Sequence, residues 1–112
     1  MTSFMARSAR RFVLIQAARQ IKQEIEKAGL DNLKILAENG RSIVGTYLRG
    51  CSPKEKATYK HDLNTLLQMG VTPDMLLDEI TRQMPDLVPI MEGKEGYKQG
   101  EVRNLERFLK EG

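Results

Sequence analysis

Apolar positions recur at helical spacing along almost the whole chain. Leu14, Ala18, Ile21, Ile25 and Ala28 step 4-3-4-3, the seam spacing of a helix packed lengthwise on another. This predicts one long N-terminal helix over residues 1–28, with Gly29 as its stop. Leu33, Ala37, Gly40, Val44, Tyr47 and Cys51 continue the pattern, so a second helix is expected over 31–50, capped by Asp31 or Asn32. The pattern persists across Gly40, which favours one unbroken helix. Asn39-Gly40 marks the alternative, two helices with a kink between them, because a glycine inside a helix costs about 1 kcal/mol against alanine. Ser52-Pro53-Lys54-Glu55 is a capping box with proline at the first helical position. It opens a third helix over 53–69, with Tyr59, Leu63, Leu66 and Leu67 on its apolar face and Gly70 as its end.

The most sharply bounded stretch is Val71 to Pro89. Thr72 is an N-cap, Pro73 takes the first helical position, and Asp74 meets the positive end of the helix dipole. Leu76, Leu77, Ile80 and Met84 form one apolar face, and Pro85 ends the helix near Met84. Asp86 then caps a short turn whose sticky side is Leu87, Val88, Ile90 and Met91, so short helices are expected over 73–91. A polar, glycine-rich loop over 92–100 leads to a closing helix over 101–111. Val102, Leu105, Phe108 and Leu109 make its stripe, and Glu106 and Lys110 form an i,i+4 pair.

These elements add up to an all-α chain of about five helices, and 112 residues leave room for one domain, 1–112. Eighteen basic against fifteen acidic residues leave a net charge of +3, which selects no partner class. The single cysteine, Cys51, excludes an internal disulfide framework. No apolar run approaches the roughly 20 residues of a membrane span. Charge is uneven only at the start: Arg7, Arg10, Arg11, Arg19 and Lys22 precede Glu24, the first acid. Such a segment reads as a solvated helix face, a mitochondrial presequence or a phosphate-binding arm.

Candidate chemistry is thin. Cys51 and His61 are each alone of their kind, and a nucleophilic pair lacks a third, orienting group. A zinc site wants three or four closely spaced ligands, and Asp74, Asp78 and Glu79 lie on a helix without the loop geometry calcium uses. No enzyme, cofactor or metal site is therefore expected. The helix–Gly70–helix joint fits the outline of a helix-turn-helix, but its second helix would bring Asp74, Asp78 and Glu79 to the phosphates against Arg82 alone.

The string Val71-Thr72, Asp74, Leu76, Glu79-Ile80-Thr81, then Leu87-Val88-Pro89, resembles the signature of the enhancer-of-yellow-two family, also named after the yeast protein Sus-one. Upstream, Ile21, Ile25, Gly29, Asp31, Leu33 and Lys34 are similar to its L-x3-L-x3-G-x-x-D-x-L-K pattern, with one residue fewer after the glycine. Downstream, Val102, Leu105 and Phe108-Leu109 are similar to its closing helix, while the stretch around Arg49 to Asp62 and the 92–100 loop are longer than the family's. The resemblance implies a clasp of helices in an extended arrangement around a helix of a larger scaffold or adaptor subunit. It further implies a non-catalytic, nuclear role in the SAGA histone-deubiquitinase module, the transcription-coupled messenger-export complex, or both. The residues expected to grip the partner helix are Ile21, Ile25, Leu33, Val44, Leu63, Leu67, Leu76, Leu77, Ile80, Leu87, Val88, Leu105 and Phe108. Two other classes stay open: a small supernumerary subunit of a mitochondrial complex, and a nucleic-acid-binding protein that uses its basic N-terminal helix.

Overall fold

Caps and glycine stops cut the chain into helices in the computed structural model, which describes residues 4–92 and 97–111. In order these are α1 (Phe4–Glu26), α2 (Leu30–Glu38), α3 (Ile43–Arg49), α4 (Pro53–Gln68), α5 (Pro73–Gln83), α6 (Leu87–Glu92) and α7 (Tyr97–Lys110). No strand occurs among the described residues, so the chain is all-α. Residues 1–3, within the first expected helix, and 93–96, within the expected glycine-rich loop, lie outside the described residues.

The expected second helix, 31–50, is two helices. Gly40 takes φ 77°, its N–H donates to the Ala37 carbonyl, and the Arg41 N–H reaches back to Leu36. That pattern satisfies the last carbonyls of α2 and ends it. Ser42 then starts α3 as N-cap, its hydroxyl accepting from the Gly45 N–H at 2.9 Å. Apolar spacing ran through Gly40 because both helices put their apolar sides inward, and local backbone chemistry overrode the repeat. The closing helix also begins earlier than expected: Tyr97 to Gly100 belong to α7, not to a loop.

Capping worked as the sequence indicates at α4 and α5, whereas α2 starts from Gly29 with no side-chain cap, and the expected caps Asp31 and Asn32 fall inside its first turn. Ser52 accepts from Glu55 N–H at the start of α4 and its hydroxyl donates to the Glu55 carboxylate, so the two capping-box residues pair through their side chains. Thr72 accepts from Met75 N–H at the start of α5. The helices pack as a bundle in which α5 lies against α1 and α7, while α3 and α4 each lie against both α1 and α7. α2 and α6 pair with each other at one edge.

Polar ties pin most of these contacts. The most consequential is Glu101, in the second turn of α7 and only 5% exposed. Its carboxylate accepts from Ser42 Oγ at 2.6 Å and from the N–H groups of Ile43 at 2.8 Å and Val44 at 3.1 Å. α7 thus supplies an acidic cap to the N-terminus of α3, where free N–H groups and the dipole both favour negative charge. At the other end of the same pair, Arg49 bonds Glu111 and Asn104. On α4, Lys60 bonds the Glu111 carbonyl and stands 5.3 Å from the centre of the Phe108 ring. Tyr59 of α4 donates to the Gln20 carbonyl of α1 at 3.4 Å. Gln83 of α5 donates to the Ile15 carbonyl of α1 at 3.1 Å.

The single chain does not adopt an extended clasp. Its radius of gyration is 13.9 Å, against about 13 Å for a folded chain of roughly this length. The apolar stripes of the helices cover one another, so their demand for burial is met within the chain.

Candidate helix-binding face

The thirteen residues expected to grip a partner helix fall into two groups. Ile21, Ile25, Leu33, Val44, Leu63, Leu76, Leu77, Ile80, Leu87, Leu105 and Phe108 are all 3% exposed or less and belong to one continuous core. They form the interior of this bundle and offer no surface while it is closed. Leu67 is 41% exposed, and Val88 is half-buried. An expectation based on helical spacing finds the inward face but cannot tell which neighbour it meets.

α5 shows how the central stretch is held. Leu76, Leu77 and Ile80 are buried, and Glu79 is buried beside them on the side toward α1. Arg82 Nε donates to Glu79 at 3.0 Å and Gln83 Nε2 donates to it at the same distance. The Arg82 hydrogen bonds hold this carboxyl below its ordinary value, against the opposing effect of burial, and the charge of Arg11 on α1 acts in the same direction as Arg82. Asp74 and Asp78, the acids that would repel DNA, face outward and pair with Lys98 of α7.

One open surface among the described residues lies at the α2–α6 edge. A groove of about 640 Å³ runs between them, lined by Leu30, Lys34, Ala37 and Glu38 on one wall and Asp86, Pro89 and Ile90 on the other. It continues past Leu30 and Asp86 into a second hollow of about 340 Å³ beside Lys22 and Glu26 at the end of α1 and Met84-Pro85 after α5. Leu30 is 40% and Ile35 53% exposed along α2. The lining mixes the apolar Leu30, Ala37, Pro89 and Ile90 with Lys34, Glu38 and Asp86, charges of both signs, a combination that suits an amphipathic helix. Neither Leu30 nor Ile35 was singled out from the sequence, because both fall off the 4-3 seam that marks Leu33 and Ala37.

Cys51 and His61 do not form a pair. His61 is exposed on α4, whereas Cys51 is buried at the α3–α4 joint, with its thiol donating to the Tyr47 carbonyl. Burial pushes that thiol up, and Glu24 and Glu55 push it further, which keeps it protonated and unreactive. One donor of each of Glu24, Cys51 and Glu55 lies within 4.8 Å of the others, a grouping hidden in sequence because Glu24 comes from α1. Each is already engaged: Lys27 bonds Glu24, and Ser52 bonds Glu55. Burial likewise pushes the neighbouring Tyr59 phenol up to about 12. Each of these hydrogen bonds is local to its own segment, so the grouping is a packing contact where α1 meets the start of α4.

No described helix is long and apolar enough to cross a membrane. Comparison of this chain with protein-family models, with curated proteins and with solved structures returns no match.

Proposed function

We propose that this chain is a non-catalytic helical adaptor that binds an amphipathic helix of a larger scaffold subunit, in a transcription-coupled chromatin-modifying or messenger-export assembly. One observation carries the reading. The two upstream and central blocks that resemble the enhancer-of-yellow-two signature are far apart in sequence, yet they border the same open groove. Gly29 and Lys34 of the upstream block contribute one side, and Pro89 of the central block the other. A groove of that size with exposed aliphatic residues beside it is an incomplete helix–helix packing site.

The clasp takes a modified form in this proposal. The closed bundle keeps its interior to itself, and the partner helix enters at the α2–α6 edge. A nuclear location follows from the assemblies named. The mitochondrial alternative is disfavoured physically, since removal of a leader to about residue 20 would take Leu14, Ala17 and Ala18 out of the core.

The test is affinity purification of the tagged full chain with identification of co-purifying proteins, alongside a Leu30→Asp variant. The wild type should recover a large subunit of a transcription or export complex, and Leu30→Asp, altered at a half-exposed groove position, should lose it while remaining folded. Equal recovery by both proteins, or recovery of mitochondrial subunits alone, would contradict the proposal.

A further inference from the structure

α2 is attached differently from the central helices α1, α5 and α7. It is set between two glycines in the left-handed region, Gly29 at φ 83° and Gly40 at φ 77°. Of its nine residues only Leu33 is buried, and its principal neighbours are α6 and α3. Among the described residues no side-chain hydrogen bond or ion pair joins α2 to another helix. The α1–α5, α1–α4, α3–α7 and α5–α7 contacts each have one. One local bond spans the first glycine, from Asn32 Nδ2 to the Ala28 carbonyl at 2.7 Å.

We infer that α2 is a hinged flap, which opens as a unit about Gly29 and Gly40 and uncovers the α6 side of the bundle. Glycine is the residue whose φ and ψ change most cheaply, and two of them at the ends of one short element define a hinge pair. A nine-residue helix released from its neighbours does not hold its own hydrogen bonds, so release and melting of α2 occur together. The Asn32–Ala28 bond is the latch, since it closes across the hinge and must break when the flap leaves. Opening turns the groove from a surface hollow into a full seat, bounded by α6 and vacated by Leu33. A partner helix entering the groove would then meet α6 on one side and the loosened α2, through Leu30, Lys34 and Ala37, on the other. What the seat receives rests on the adaptor reading, but the opening belongs to the free chain and is measured there.

Hydrogen exchange of the free, full-length chain tests the flap. The amides of residues 33–38 should exchange at least about tenfold faster than those of α5, and at rates close to one another, as a cooperative unit does. Asn32→Ala, at an exposed position, should speed exchange in α2 several-fold and leave α5 unchanged. Equal protection of α2 and α5 would overturn the flap. So would rates graded inward from the helix ends, or an Asn32→Ala effect that is absent or shared equally by α5. A partner found to bind elsewhere on the molecule would remove the adaptor reading and leave these results untouched.

Discussion

α5 and α2 are both short helices with an aliphatic stripe, yet they are held in opposite ways. α5 buries Leu76, Leu77, Glu79 and Ile80, packs on α1 and α7, and is tied to α1 through Gln83. α2 buries Leu33 alone, and no polar side chain ties it to a neighbouring helix among the described residues. A stripe states that one face must leave water, but the stability gained depends on how many neighbours meet it. At about 25 cal/mol per Å² of apolar surface removed from water, a helix sealed on two sides outweighs a helix resting on one. The difference separates a rigid centre from an edge suited to binding.

The sharpest way to break this contrast is to place a carboxylate in each region. Ile80→Asp should abolish cooperative thermal unfolding followed by circular dichroism, since an unpaired buried charge costs several kcal/mol. Leu33→Asp should leave a cooperative melt, because α2 can detach and expose the new charge to water. If the two variants unfold alike, centre and edge are one unit.

The next effect concerns the α7–α3 cap. Glu101→Ala leaves the Ile43 and Val44 N–H groups and the Ser42 hydroxyl without their shared acceptor. Unsatisfied buried donors cost about 1–3 kcal/mol each, and partial access of water should hold the loss to about 3 kcal/mol in urea denaturation. Glu101→Gln should lose less. Leu33→Ala should fall below both, at about 1–2 kcal/mol, under the usual 2–5 kcal/mol for a buried leucine, because the edge can collapse around the gap.

A smaller, pH-dependent effect belongs to Glu79. Its folded carboxyl lies below the ordinary value of 4.5, chiefly through Arg82. The unfolded state therefore takes up its proton first as pH falls. The stabilisation is present above about pH 4.5 and disappears as pH drops through the lower folded value. Melting temperatures of wild type and Glu79→Gln should converge on acidification below that point and separate at neutral pH. Smallest of all, Asp78→Asn alters only an exposed pair with Lys98 and should leave the melting temperature within error.

Much of this fold was legible in the sequence, because its signals are local. Ser52-Pro53 and Thr72-Pro73 announced the starts of α4 and α5, and the inward spacing picked out Ile21, Ile25, Leu76, Ile80 and Phe108. Three features were not legible. The split at Gly40 set a glycine stop against an apolar repeat that ran straight through it, and spacing alone does not rank the two. The Glu101 cap joins residues 57 to 59 positions apart, a pairing that only the fold creates. The groove depends on what α2 fails to bury, and a stripe records only which residues would be buried if a neighbour were there. That last gap is why the expected grip residues proved to be core, while Leu30 and Ile35 stayed exposed.

The adaptor proposal rests on where a partner helix meets the chain, and site-specific photocrosslinking measures that directly. A photoreactive residue placed singly at Lys34 or Ala37, both in the groove wall, should crosslink the scaffold subunit in the purified assembly. The same residue at Asn64 on α4 or Glu106 on α7, exposed positions outside the groove, should not. Crosslinks from Asn64 or Glu106, with none from the α2 positions, would contradict the groove as the binding face.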